Sequence, residues 1–256
     1  MNNIVIIPAR MGASRFPGKP MAKIVDIPMV GHCYFRSKLA DGIDEVYVAT
    51  CDAEIAEYIR SIGGNAVMTS TSHTRASTRT AEALGIIEGE SNQKVDVVVM
   101  VQGDEPLIPP EAISETLNHF SDSAVEIVNI MSQFRTLESF EDKNNVKVVV
   151  DQNNDALYFS RESIPSPWKG WKESPCLMQT GIIAFRRNVL HHFNSMNETI
   201  LEQVESVDMN RVLETGGKIR MVLTEALTIG VDTPEELKQA EQLLKNDPVL
   251  GQYASL

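Results

Sequence analysis

The fold is read from Ile4-Val5-Ile6-Ile7-Pro8-Ala9-Arg10-Met11-Gly12-Ala13-Ser14-Arg15-Phe16-Pro17-Gly18-Lys19-Pro20. A short apolar run ends at a proline. Ala9 to Lys19 then carries two Arg, one Lys, two Gly and a Ser, with little apolar character. The run reads as a strand buried on both faces. Cations on a loop directly after such a strand have one common use in α/β proteins, the reception of a polyphosphate. A solvated surface loop is the plain alternative, and this stretch alone leaves both open.

Outward from this stretch, strands and helices alternate. Glu45 to Thr50 reads as a strand, and Asp52 offers an N-cap for a helix over Ala53 to Ile62, where Ile55, Tyr58, Ile59 and Ile62 keep helical spacing. Gly63-Gly64 ends it, and a short strand follows at Ala66 to Met68. Thr69 to Arg79 is polar and leads into a helix over Thr80 to Ile87. Val95 to Val101 is β-branched and nearly all apolar, the signature of a central strand, and it ends in Gln102-Gly103-Asp104-Glu105-Pro106. Pro109-Pro110 opens a helix to Phe120. This alternation predicts a doubly wound, mainly parallel sheet, whose ligand sits at the carboxyl ends of the strands. The basic loop and the Gln102 to Pro106 turn both lie at such ends.

The stretch from Ser121 to Gly216 is less regular, with strands expected at Val125 to Met131, Val146 to Val150 and Met178 to Phe185. Arg186-Arg187 reads as a solvated turn, and the chain's two Trp, Trp168 and Trp171, lie in a Pro/Gly loop. Order returns with a strand over Lys218 to Leu223, a turn at Gly230-Val231-Asp232 and a helix over Thr233 to Asn246. Thr233, Pro234 and Glu236 supply its N-cap, N1 proline and capping-box partner.

The formal net charge is -12, which argues against nucleic acid or a membrane surface as partner and makes the cations of the first loop a local feature. Cys33, Cys51 and Cys176 form neither a disulfide framework nor a metal spacing, and free thiols in a reducing compartment are the expectation. No apolar run approaches the ~20 residues of a membrane helix. No basic n-region precedes the first strand, so no signal peptide is expected and a cytoplasmic protein is. His32, His119, His191 and His192 form no metal spacing, while His73 lies in the polar stretch, where it is a candidate ligand contact. Asp104 and Glu105, opposite a basic loop, offer a place for Mg²⁺, and Asp232 reads either as turn chemistry beside Thr233 or as a second carboxylate of that place.

The order of these motifs resembles the 3-deoxy-manno-octulosonate cytidylyltransferases. The stretches that carry the resemblance are Ile6 to Arg10 with Ser14 to Pro20, Val101 to Pro106, Val146 to Val149, Ala156 to Arg161 with Ile164-Pro165, and Gly230 to Leu237. The resemblance implies a nucleotide-diphospho-sugar transferase fold in a single domain over 1–256. Residues 1–120 and 217–256 would form the nucleotide core, and 121–216 a smaller sugar-side and dimerisation subdomain. It implies transfer of CMP from CTP to an acidic sugar, with pyrophosphate released and Mg²⁺ as cofactor, in a homodimer. Arg10, Lys19 and Asp104 take catalytic roles in this reading. Pro8, Ala9, Arg10, Met11, Ser14, Arg15, Lys19, Ser77, Arg79 and Gln102 hold the nucleotide. Gln102, Gln179, Asp208 and Asn210 meet the acceptor, and Asp104 and Asp232 hold the metal. No residue stands out as a general base.

The chain also departs from the family pattern. Arg75-Ala76-Ser77-Thr78-Arg79 stands where the family has Ser-Gly-Thr-(Glu/Asp)-Arg. Gln179-Thr180-Gly181 replaces a His-x-Gly, and Asp208-Met209-Asn210-Arg211 a Glu-Gln-Leu-Arg. These changes keep two other readings in view. One is a cytidylyltransferase for a different acceptor, such as another nonulosonic acid or a small phosphonate. The other is a nucleotide-binding protein without activity, against which the retained Arg10, Lys19, Asp104 and Asp232 speak.

Overall fold

The computed structural model describes residues 1–12, 16–171, 174–226 and 229–254. The chain opens with β1 (Asn3–Ala9), a 3-10 turn (Lys19–Met21), a short ribbon of β2 (Lys23–Ile24) and β3 (Ile27–Pro28), α1 (Met29–Lys38), β4 (Glu45–Thr50), α2 (Ala53–Ser61) and β5 (Asn65–Met68). It continues through α3 (Ala76–Ser91), β6 (Val97–Val101), α4 (Pro110–Asn118), β7 (Ile127–Gln133), α5 (Leu137–Glu141), β8 (Lys147–Val150) and β9 (Ala156–Ser160). The remainder is β10 (Leu177–Arg186), α6 (Arg187–Ser195), α7 (Ile200–Glu205), α8 (Asn210–Glu214), β11 (Arg220–Thr224), α9 (Pro234–Leu244) and a closing 3-10 turn (Leu250–Gln252). The result is an α/β protein with a mainly parallel sheet. Among the described residues no helix is long and apolar enough to cross a membrane.

Two compact units divide the chain: Met1–Ser114 with Leu227–Leu256, and Glu115–Ala226. In the first, β6, β1, β4 and β5 lie side by side, all parallel, with Ile4 opposite Glu45 and Val98, and Ala9 opposite Thr50. Val5, Ile6 and Ile7 are fully buried, as a central strand covered on both faces must be. Because the strands are parallel, the loops after Ala9, Thr50, Met68 and Val101 leave the sheet at one edge.

In the second unit β7 runs parallel to β11 and antiparallel to β10, while β8 joins β10 and β9 by antiparallel pairing. Two buried cations organise it. Lys147 is 0% exposed and gives its three ammonium protons to the carbonyls of Asp142 (2.7 Å), Asn145 (3.0 Å) and Arg161 (2.9 Å). Arg211 binds Glu202 through Nε and Nη2 at 2.7 and 2.5 Å, and donates to the carbonyls of Phe193 and Met196.

Several local expectations are corrected. Helix α3 starts at Ala76, not Thr80. The Ser/Thr/Arg run looked like loop, but Ser77, Arg79 and Thr80 are buried on the inner face of a helical turn. Asp52 stands at the N-cap of α2 without capping it through its side chain, since its carboxylate accepts the backbone N–H of Met11 at 2.8 Å. Arg186 is no solvated turn residue. It donates to the carbonyls of Val125, Phe120 and Asp122 and lies 5.2 Å from the Phe120 ring. The sequence reading lacks strand β9 and helices α5 to α8, of which α5, α7 and α8 are only 5, 6 and 5 residues long, too short for a period to show.

The Glu202–Arg211 pair yields a stability prediction. Glu202→Gln leaves the Arg211 charge buried and uncompensated, which costs about 3–5 kcal/mol. Equilibrium urea unfolding measures it, and a loss under about 1 kcal/mol, the range of exposed pairs, contradicts the assignment.

Candidate active site

The carboxyl edge of the parallel strands holds a cavity of about 280 Å³, all of whose lining residues belong to the first unit. Pro8 and Ala9 from the end of β1, Gln102, Gly103 and Asp104 from the turn after β6, and His73 to Arg75 before α3 with Ala76 at its start form its walls. Gly103 is required by close approach: a Cβ there would sit 3.1 Å from the Pro8 carbonyl oxygen and 3.3 Å from the Ala9 Cβ. The turn that carries Asp104 is thus seated directly on the end of β1.

Lys19 is placed by the loop that returns after β1. Gly18, at φ +76°, turns the chain and its N–H bonds to the Met11 carbonyl at 2.9 Å. The Lys19 ammonium then meets Asp104 Oδ2 at 2.6 Å, Asp232 Oδ1 at 2.8 Å and the Val231 carbonyl at 3.3 Å. These three acceptors use all the protons an ammonium has. Burial works against the charge of Lys19, but the Asp104 carboxylate beside it, and then Asp232, raise its pKa above the ordinary lysine value. A lysine whose pKa is raised keeps its proton through neutral pH, so the site holds a fixed cation between two carboxylates.

The acidic loops are themselves joined, because the Val231 N–H donates to the Asp104 carbonyl at 2.8 Å. The expected cap of α9 is present: Thr233 Oγ1 accepts from the Glu236 N–H, and Glu236 accepts from the N–H groups of Thr233 and Asp232 at 2.8 and 2.7 Å. Under the three loops lies one apolar cluster of Ile24, Met29, Leu107, Val231, Ala240 and Leu244. It packs the segments that follow Lys19 and Asp104 and the residue before Asp232 against α9.

Among the described residues, four cations line the cavity, Arg10, Lys19, Arg75 and Arg79, against the two carboxylates Asp104 and Asp232. On a chain of net charge -12 this is a local positive field suited to a polyanion. Arg10 is exposed and donates to the His73 carbonyl at 3.3 Å. Arg79 is 2% exposed, with Nη1 on Thr69 Oγ1 at 2.5 Å and Nη2 without a hydrogen-bond partner among the described residues. A buried guanidinium edge left open in a basic cavity is a donor aimed at something the cavity receives. The paired carboxylate oxygens converge on a single positive centre. Among the described residues no group of three or more His, Cys, Asp or Glu side chains is gathered to ligate a metal. Two hard oxygen donors beside a cavity lined by cations are of the kind that would hold Mg²⁺.

The structure thus brings Pro8, Ala9, Arg10, Lys19, Arg79, Gln102, Asp104 and Asp232 to one cavity. Met11 does not line it and is held by Asp52. Ser77 is buried in the first turn of α3. Ser14 and Arg15 lie outside the described residues. Gln179, Asp208 and Asn210 belong to the second unit. Asn129 Nδ2 donates to the carbonyls of Ile130, Thr180 and Ile182, which fixes its amide, so Gln179 Nε2 donates to Asn129 Oδ1 at 2.7 Å. The Asn210 side chain is fully buried and bonds both the N–H and the C=O of Phe159.

Sequence reasoning missed Arg75 in the wall and named His73 only as a candidate contact, without its partners. Arg75, read only as a departure, lines the cavity beside Arg79. His73 is clamped between Thr78 Oγ1 at 3.0 Å and the Glu82 carboxylate, which also accepts the Ser70 N–H. The ion pair and hydrogen bonds hold Glu82 below the usual carboxylate range in spite of desolvation. The signal was there in part: Thr78 and Glu82 stand one helical turn apart, but only with α3 started at Ala76.

The family model described as cytidylyltransferase matches residues 4–219. A 3-deoxy-manno-octulosonate cytidylyltransferase of Geobacter sulfurreducens is 40% identical over 256 residues, covering 96% of this chain and 100% of its own. That of Thermodesulfovibrio yellowstonii is 39% identical over 251 residues, covering 95% and 98%. A solved structure of CMP:2-keto-3-deoxy-manno-octonic acid synthetase complexed with CTP superposes with a TM-score of 0.86 at 35% identity, covering 96% of this chain and 99% of that one. The chain belongs to the 3-deoxy-manno-octulosonate cytidylyltransferase family.

Proposed function

We propose that the chain transfers CMP from CTP to 3-deoxy-manno-octulosonate or a closely related ulosonic acid and releases pyrophosphate. The observation that carries this reading is the Lys19 ammonium held between Asp104 and Asp232 in a cavity whose other cations are arginines. A sugar hydroxyl attacks the α-phosphorus, losing its proton as the new P–O bond forms. The bond from the α-phosphorus to the α–β bridging oxygen breaks, and pyrophosphate leaves with the electron pair. Negative charge builds on the phosphoryl oxygens and the leaving group, so the catalysis needed is positioned positive charge.

Arg10, Lys19 and Arg79 neutralise the triphosphate, Pro8 and Ala9 form the nucleotide wall, and Met11, Ser14, Arg15 and Ser77 are assigned to nucleotide binding with them. Gln102, which lines the same cavity, orients the acceptor. Asp104 and Asp232 would hold Mg²⁺, which, when bound, supplies charge neutralisation between nucleotide and acceptor. Gln179, Asp208 and Asn210 are assigned to acceptor recognition. Gln179 brings its remaining amide oxygen as an acceptor of hydrogen bonds, and Asn210 acts by fixing strand β9 at Phe159. The nucleotide core is assigned to 1–120 and 217–256 and the acceptor side to 121–216. The unpaired Cys33, Cys51 and Cys176 fit the reducing cytoplasm.

The chain is further proposed to act as a homodimer. Helix α7 turns Ile200 and Val204, 75% and 74% exposed, outward one turn apart, and Leu157 of β9 is 60% exposed. Apolar side chains aligned in this way mark an interaction face.

Pyrophosphate release with CTP, Mg²⁺ and a panel of acidic sugars tests the reaction, and release is expected with 3-deoxy-manno-octulosonate. Release with another acid alone makes the chain a cytidylyltransferase of different specificity, and release with none refutes the reading. Asp104→Asn and Asp232→Asn are each expected to lower turnover by about a hundredfold or more with the fold intact by circular dichroism. Full turnover in either would remove that carboxylate from the centre. Sedimentation velocity is expected to show a dimer that Val204→Glu dissociates, and a wild-type species of 28.4 kDa at micromolar concentration would contradict the dimer.

A further inference from the structure

Helix α1 carries two buried polar side chains one turn apart, His32 (0% exposed) and Arg36 (3%), neither of which lines the cavity. Each joins the C-terminal segment to the backbone behind a residue of the centre. His32 Nε2 lies 2.8 Å from the Ile24 carbonyl, which can only accept, so Nε2 carries the proton. Nδ1 then accepts from the Tyr253 hydroxyl at 2.8 Å. Burial lowers the pKa of His32, which keeps this neutral tautomer in place. Ile24 closes the segment that begins at Lys19. On the other side, Arg36 Nη1 binds Asp247 Oδ2 at 2.7 Å, and Nε donates to the Ile108 carbonyl at 2.5 Å. Ile108 ends the turn that begins at Asp104, and its N–H bonds back to the Glu105 carbonyl.

The two relays are parallel in design: C-terminal side chain, α1 side chain, carbonyl behind the centre. Tyr253 is 2% exposed and stacks on Phe35 with ring centroids 5.5 Å apart. Its ring is therefore packed independently of its hydroxyl, and a hydroxyl so placed has no packing reason to exist. The same two backbones, at Ile24 and Leu107, share the apolar cluster with Leu244 of α9, from which the C-terminal segment leaves.

We propose that Tyr253 and Asp247 are positioning residues of the nucleotidyl-transfer centre, acting through His32 and Arg36 to fix the segments that carry Lys19 and Asp104. The proposal rests on the cytidylyltransferase reading for its effect on rate, but not for its effect on the two backbones.

Tyr253→Phe removes the hydroxyl and keeps the ring, while His32→Gln keeps a donor for Ile24 and loses the tyrosine. Hydrogen exchange of the nucleotide-free protein is expected to quicken about fivefold in residues 19–24 in either variant, the factor one neutral hydrogen bond allows, with little change in β6. Turnover of folded enzyme is expected to fall roughly tenfold with the KM for CTP nearly unchanged, as for a displaced catalytic group. The double variant should be no slower than the slower single variant. Unchanged exchange in 19–24 overturns the proposal, as do losses of turnover that multiply in the double variant. A wild-type protein that releases no pyrophosphate with any acceptor refutes the reading of function alone, and the exchange experiment still decides the positioning.

Discussion

The structure turns on one ammonium group. Lys19 stands between carboxylates 85 and 213 residues away in sequence, and it fills its third valence on the carbonyl of Val231. Two carboxylates brought this close would repel one another. Unit charges about 4 Å apart interact by roughly 4 kcal/mol near a protein surface, so the cation between them decides whether the three loops converge or spread. Everything nearby serves that convergence: the Gly18 turn, the seat of Gly103 on β1, the Val231-to-Asp104 backbone bond and the capping box of α9.

This arrangement also explains how an acidic chain receives an acidic ligand. The net charge of -12 is spread over the surface, while four cations are gathered at one edge of a parallel sheet. In the proposed reaction a triphosphate would meet Arg10, Arg75 and Arg79 and compete with Asp104 and Asp232 for Lys19, a competition that a divalent cation held by the two carboxylates would relieve. The centre is built on the ends of rigid strands, with its supporting bonds buried, which is the construction that holds catalytic charge in place without reorganisation.

The legible part of the fold was the part with period and punctuation. The β1 and β6 runs, the α2 helix with its Gly63 stop and the Thr233 to Glu236 cap were plain because each rests on local chemistry. The identity of Lys19, Asp104 and Asp232 as partners was not local, and it came from the order of motifs along the chain. The start of α3 was hidden because Ser77, Arg79 and Thr80 are buried polar residues on a helix that periodicity reads as loop. Asp52 misled for a related reason: its position is that of a cap, but its carboxylate has a tertiary partner in Met11. Buried pairs such as Glu202 with Arg211 leave no trace in hydropathy, since each residue alone reads as surface.

The central claim is that Lys19, Asp104 and Asp232 form the metal and triphosphate centre. A crystal structure with CTP and Mn²⁺, read by anomalous scattering, tests it most directly. An anomalous peak bound by both Asp104 and Asp232 is expected, with the Lys19 ammonium moved onto phosphate oxygens. A nucleotide-bound structure whose Mn²⁺ contacts neither carboxylate, with Lys19 still bridging them, would contradict it.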